Sequence, residues 1–284
     1  RPDQPPMSIV HPAIFYVHLP TLLRILRLNL WTHVSIRRAL FTIGFVLLWA
    51  MGVVVLSIAR ILDEILFPKY HEVDLSEPVF IVSNPRSGTT YLHRLLCLDQ
   101  QRYNHTLLYH TIFPSVTILK LIQAIGAVDR RIGRPLRKLF DWLDTKFFGG
   151  WSDIHPMGFN HSEEDEAFFT LMVFTPALVL LSPWAYRMDY LNYLDRMDPA
   201  VREKMKAFYI SSLKRFMFAT DPDATLLMKN VFSTGRMDWL MDCFPKARII
   251  YPVRSPLKAV PSVVSMFTGP WRVHSPEIAD DSEE

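Results

Sequence analysis

Between residues 79 and 96 the chain passes from an apolar strand, through a Pro/Arg/Ser/Gly turn, into a helix, and that passage limits its architecture more than any other stretch. Val79-Phe80-Ile81-Val82 reads as a strand rich in β-branched and aromatic residues. Thr89 and Thr90 then open an amphipathic helix with Leu92, Leu95 and Leu96 expected on one face. A helix start has free N–H groups and a positive dipole end, so an arginine beside it makes a phosphate site. The turn chemistry suits that use. Gly88 lets the backbone approach a ligand, Ser87, Thr89 and Thr90 offer hydroxyls, and Arg86 offers a forked cation. An ordinary β–α connection capped by Ser or Thr is the plain alternative, but it does not need strand, Arg, Gly and tandem Thr together.

The familiar phosphate loops do not fit. No Gly-x-x-x-x-Gly-Lys-Ser/Thr occurs, and no Gly-x-Gly-x-x-Gly follows a strand. A second strand–turn–helix passage lies at Arg248-Ile249-Ile250-Tyr251-Pro252-Val253-Arg254. Arg254 closes that strand and Ser262 follows eight residues later on the next helix, which Ser255 should cap and Pro256 should begin. Pro261 is compatible with that helix only near its first turn or at a kink. Thr225 to Lys229 reads as a third strand, with Ser233 or Thr234 as cap of the helix through Met237 and Leu240. This β–α alternation implies a parallel sheet, which would put Arg86, Lys229 and Arg254 at one edge, where open α/β sheets bind ligands.

The Pro85-Arg86-Ser87-Gly88-Thr89-Thr90 turn resembles the 5′-phosphosulfate loop of sulfotransferases that use 3′-phosphoadenosine 5′-phosphosulfate (PAPS). Arg254 and Ser262 have the spacing with which that family grips the 3′-phosphate. The resemblance covers residues 77–267 and implies an α/β fold: a central, mainly parallel sheet flanked by helices, P-loop-like. It further implies PAPS as co-substrate and no metal. Backbone N–H groups of Ser87 to Thr90 would hold the 5′-phosphate. Arg86, where many relatives carry Lys, would neutralise charge on the bridging oxygen. Lys229-Asn230-Val231 departs from the Lys-Ser/Thr-Pro of similar enzymes, so a contact from Lys229 to sulfonate or phosphate stays open. The acidic run Glu163-Glu164-Asp165-Glu166 either compensates a helix dipole behind a Ser162 cap or supplies a general base. The family uses a Glu or His in that role, which makes Glu164 and Glu163 the first candidates and His161 the next.

Composition fits this reading. At 284 residues the chain holds one large α/β domain and an N-terminal appendage. A net charge of +3 is too mild to argue for nucleic acid. Cys97 and Cys243 both sit in apolar helical runs, without a disulfide or metal pattern, and the scattered histidines, His105 and His110 included, lack ligand spacing.

Residues 39–59 carry no charge and are long enough for a bilayer span; a membrane hairpin or a buried helix are the alternatives. Tyr16 to Trp31 mixes Leu and Arg like an interfacial helix. Arg130, Arg131, Arg134, Arg137 and Lys138 form a basic run, either a solvated helix face or a contact for anionic lipid or a polyanionic acceptor. The expected organisation is a membrane-associated helical region at 1–76 and a sulfotransferase domain at 77–284 that is incomplete at its C-terminus. The expected location is membrane-attached with a cytoplasmic active site, a Golgi lumenal type II arrangement being the alternative. The acceptor would be a small molecule, lipid, glycolipid or carbohydrate hydroxyl, less readily an amine. A kinase-like nucleotide enzyme and a membrane-anchored scaffold are the rival classes.

Overall fold

The structure, a computed structural model, describes residues 11–139, 142 and 164–275. Its helices include α1 (Leu19–Arg27), α2 (Ile36–Leu66), α3 (Thr89–Leu96), α4 (Leu108–Ile112), α5 (Val116–Arg131), α6 (Glu166–Leu171), α7 (Pro199–Ala219), α8 (Met237–Cys243) and α9 (Pro256–His274). The strands are β1 (Val79–Val82), β2 (Tyr103–His105), β3 (Thr225–Asn230) and β4 (Arg248–Ile250). They form one parallel sheet in the order β2-β3-β1-β4, with Ile81 opposite both Lys229 and Ile250. The parallel α/β expectation is met, and it places the three basic residues at the same sheet edge.

β1 lies inside the sheet and is buried throughout. Its alternating residues serve different cores, as a period of two requires. Phe80 and Val82 join the main core with Phe168, Phe169, Phe208, Tyr209, Phe216 and Trp239, while Val79 and Ile81 pack with Leu227 and Cys97. The N-terminal segment is part of the main core, through Ile25 and, partly buried, Phe45 and Trp49. α7 supplies much of the packing and begins at an Asp-Pro pair, with Asp198 accepting from the Ala200 N–H at 2.7 Å and Pro199 in the first turn.

Three local expectations need correction. On α3 the face against the sheet is Thr89, His93 and Cys97, flanked by Leu92 and Leu96, and Leu95 is exposed. Neither Ser233 nor Thr234 caps α8; they lie in a 3-10 turn, Ser233–Arg236, that leads straight into it. Gly235 permits that turn, since a Cβ there would overlap the Asn192 carbonyl. Ser255 stands at the start of α9 without a side-chain cap, and Pro261 is accommodated within a helix that continues to His274.

α2 is the one described helix long and apolar enough to cross a membrane, yet Arg38, Thr42, Leu56, Ala59, Arg60 and Asp63 on it are buried against the protein. Asp63 accepts from the Val116 and Thr117 N–H groups at the start of α5, at 3.0 and 2.7 Å, and pairs with Arg215 of α7 at 3.0 Å. Arg60 donates to Ser212 at 2.8 Å and to the Pro114 carbonyl at 2.9 Å. Charges this deep are held only when paired and hydrogen-bonded.

Candidate active site

A cleft of about 490 Å³ opens beyond the C-terminal ends of β1, β3 and β4. One side is the turn from Pro85 to Tyr91. Arg254 lines it beside that turn, and Glu164, Glu166, Thr170, Ala177, Leu180 and Met266 are among the other lining residues. Both phosphate-type motifs therefore meet at one cavity.

The turn is shaped by two left-handed residues, Gly88 at φ 85° and Arg86 at φ 65°. Gly88 takes that conformation without penalty; Arg86 does so at a cost of about 1–3 kcal/mol and needs its surroundings to hold it. They do. The Arg254 guanidinium donates to the Arg86 carbonyl at 2.9 Å, and Arg86 Nε donates to Ser262 Oγ at 2.7 Å. Ser83, just after β1, donates to the Pro252 carbonyl at 2.6 Å and locks the two strand ends together. Arg86, Arg254 and Ser262 thus form one connected unit around the N-terminus of α3.

Lys229 is fully buried on β3, behind two residues that line the cleft. Its Nζ donates to Thr90 Oγ1 at 3.1 Å and pairs with Glu164 Oε1 at 3.0 Å. One ammonium therefore links the phosphate-type turn to the leading base candidate. Glu163 and His161, the other two candidates, lie outside the described residues, as does Ser162.

Burial drives the His93 imidazole down to about 3, with the Lys229 charge adding to the effect, so it is neutral beneath the turn. Its ring nitrogens have no hydrogen-bond partner.

The next two acids do something the sequence reading did not foresee. Asp165 and Glu166 are buried at the head of α6, and Asp165 occupies the cap position without using its side chain there. The Asn230 amide donates to Asp165 Oδ1 at 2.6 Å and to Glu166 Oε2 at 2.7 Å. Tyr209 donates to the other Asp165 oxygen. Arg236 forks onto Glu166 at 2.7 and 2.8 Å and stacks over Phe169 at 3.8 Å. Burial, reinforced by the Glu166 charge, pushes Asp165 up to about 7 against the pull of its hydrogen bonds. Dipole compensation is thus the lesser role; this is a clamp. It holds the segment beginning at Glu164 against the end of β3, where the Asp165 N–H also meets the Lys229 carbonyl at 3.4 Å.

Asn230, Tyr209 and Arg236 were missed. Asn230 stands where similar enzymes carry Ser or Thr, and that departure was the available signal. Among the described residues no three His, Cys, Asp or Glu side chains group as a metal site.

The family model described as the sulfotransferase family matches residues 78–283. Omega-hydroxy-beta-dihydromenaquinone-9 sulfotransferase Stf3 from Mycobacterium bovis and from Mycobacterium tuberculosis is 28% identical over 204 residues, covering 69% of this chain and 47% of the relative. The chain spans about half the length of the curated relatives it matches. Crystal structures of sulfotransferase STF1 from Mycobacterium tuberculosis and STF9 from Mycobacterium avium superpose with TM-scores of 0.63 and 0.60. They cover 88% and 96% of this chain, and it covers 63% and 70% of theirs, at 18% and 17% identity. That likeness is one of fold.

Proposed function

The chain belongs to the sulfotransferase family, and from that premise we propose that it moves a sulfuryl group from PAPS to a lipid hydroxyl. The observation that carries this reading is the position of Lys229, hydrogen-bonded to Thr90 of the turn and paired with Glu164 inside the cleft.

PAPS, when bound, supplies an activated sulfuryl group with adenosine 3′,5′-bisphosphate as the leaving group. The residues present fit it. The N–H groups of Ser87 to Thr90 point from a helix start and suit the 5′-phosphate. Arg254 and Ser262, already tied to Arg86, suit the 3′-phosphate. Arg86 and Lys229 would supply two cations to the negative charge that gathers on the bridging oxygen, so stabilisation would come from groups held in place before the donor binds. Glu164 takes the acceptor's proton as its oxygen attacks. For Glu164 to act, its contact with Lys229 must loosen, and an anionic donor competing for the ammonium does that.

The lipid acceptor is supported by the named activity of the Mycobacterium relatives and by the apolar far wall of the cleft, with Ala177, Leu180 and Met266. Membrane attachment through the N-terminal helices, with the cleft on the cytoplasmic side, completes the reading. The test is incubation of the full-length protein with ³⁵S-labelled PAPS and hydroxylated isoprenoid quinones, alongside carbohydrate acceptors. Label in the lipid extract is expected. Failure of the protein to bind adenosine 3′,5′-bisphosphate in calorimetry would sink the reading in favour of a non-catalytic anchored protein.

A further inference from the structure

One face of α2 is fastened to the protein, with buried residues towards its two ends (Arg38 and Thr42, then Leu56, Ala59, Arg60 and Asp63), and the other face is apolar and exposed. The inner face is tied to the protein at intervals: Arg38 donates to Ser275 Oγ at 2.9 Å, Thr42 receives the Asn29 amide at 2.9 Å, Trp49 donates to the Leu171 carbonyl at 3.2 Å, and Arg60 reaches the Ala13 carbonyl at 2.7 Å. From Arg38 to Asp63 that is about 38 Å of helix at 1.5 Å per residue, more than the ~30 Å hydrocarbon core. A helix fastened to a folded domain over such a length cannot stand across a bilayer with its whole surface in lipid. The outer face holds Leu40, Leu47, Met51, Val54, Ile58 and Ile65, Leu47 being 65% and Ile65 70% exposed. No exposed residue between 39 and 62 is charged. Unpartnered apolar surface of this extent is unusual on a soluble protein.

A second stripe continues it. The first N–H groups of α5 are held by Asp63 of α2, and the two helices pack together. Leu121, Ile125, Val128 and Ile132 are exposed at helical spacing on it. Exposed arginines stand at the ends of these helices, Arg37 at the head of α2 and Arg130, Arg131 and Arg134 at the end of α5, with Arg24 and Arg27 exposed on the preceding α1. Trp31, 74% exposed between α1 and α2, has the amphipathic ring favoured at the headgroup level. The charge pattern chooses the occupant. A second copy docked on this face would bring arginine borders of like sign together, whereas anionic headgroups complement them.

We propose that the outer face of α2, with the α5 stripe and the arginine border, lies in the plane of one leaflet as a docking surface for an anionic lipid bilayer, and that the acceptor end of the cleft adjoins it. The second half rests on the lipid-acceptor reading. The cleft residues Thr170 and Leu180 neighbour the groups that anchor α2 and α9: Leu171 takes the Trp49 N–H, the Leu180 carbonyl itself bonds His274 at 2.8 Å, and His274 stacks on Phe41 of α2. A long apolar acceptor could therefore pass from lipid to Glu164 without crossing water.

The test uses the full-length protein and floated vesicles of phosphatidylcholine with or without one quarter phosphatidylglycerol. Flotation strengthened by phosphatidylglycerol is expected, and the triple variant Leu47→Glu, Val54→Glu, Ile58→Glu should lower partitioning by about tenfold or more, since each change removes an apolar contact and adds a charge. Single cysteines at Leu40, Val54 and Ile65 then report depth through a fluorophore and spin-labelled lipid quenchers. Burial pushes the native Cys97 and Cys243 thiols up to about 11 and about 12, so the exposed cysteine labels first. Equal, shallow depths support in-plane docking; a deep Val54 between two shallow ends means a span and overturns it. A wild-type protein that stays with the soluble fraction, or a dimer that shields all three labels, overturns it as well. Adenosine 3′,5′-bisphosphate affinity should be the same in the triple variant and the wild type. Its absence from the wild type would defeat the enzymatic reading and leave the depth measurements to decide the docking surface alone.

Discussion

The two walls of the cleft are built on opposite principles. The turn wall, Pro85 to Thr90 with Arg254 and Ser262, is solvent-reachable and held by a few hydrogen bonds to backbone and hydroxyl groups. The acid wall, Glu164 to Glu166, rests on charges sealed in the core and satisfied by Tyr209, Asn230 and Arg236. A phosphate-type turn must leave its donors available to a ligand, so it can contain little internal pairing. The proposed base, Glu164, would have to keep one position relative to an acceptor, and buried paired charges beside it provide that at the cost of tolerating no partial loss.

The sharpest way to break this contrast is Arg236→Ala. It leaves Glu166 buried without its fork, and the expected loss is about 3–5 kcal/mol of unfolding free energy in denaturant titration. Arg86→Ala or Arg254→Ala should barely move that midpoint. Each should instead weaken adenosine 3′,5′-bisphosphate binding by about 1.5–3 kcal/mol, over tenfold in calorimetry. If the arginine variants unfold and Arg236→Ala does not, the two walls have been assigned the wrong way round.

Asp165 gives a pH test. Its carboxyl is raised from an ordinary value near 3.8 to about 7, so the folded state holds the proton more tightly than the unfolded chain. Stability from this group is fully present below about pH 4 and falls as pH rises through about 7. Asp165→Asn keeps an acceptor for Tyr209 and should flatten that slope between pH 4 and 7; an unchanged slope would mean that another group carries it. The smallest effect expected is for Ser262→Ala. Losing one hydrogen bond to Arg86 should cost about 1 kcal/mol, a severalfold drop in bisphosphate affinity with no change in melting temperature.

These outcomes follow what could and could not be read from residue order. The turn wall was legible because its residues are neighbours in sequence, and strand, Gly and hydroxyls specify one another within a dozen positions. Arg254 and Ser262 were legible for the same reason, and β–α alternation sufficed to bring Lys229 to the same edge. The acid wall was not. Tyr209 and Arg236 carry no local pattern and Asn230 only a departure from the family's segment, and all three become meaningful only when α7 and β3 meet α6. The apolar run from 39 to 59 shows the same limit. Its composition is that of a span, but Arg38, Arg60 and Asp63 at its margins find buried partners more than 50 residues away.

Sequence alone determined the parallel α/β architecture, the phosphate-type turn and its second arginine, because backbone conformation, alternation and hydroxyl spacing are local properties of a chain. Tertiary structure decided that Glu164 stands beside Lys229, what holds its segment there, and which face of α2 is left exposed. Those depend on desolvated charges finding partners across the fold, and the energy of a buried charge is set by whatever surrounds it.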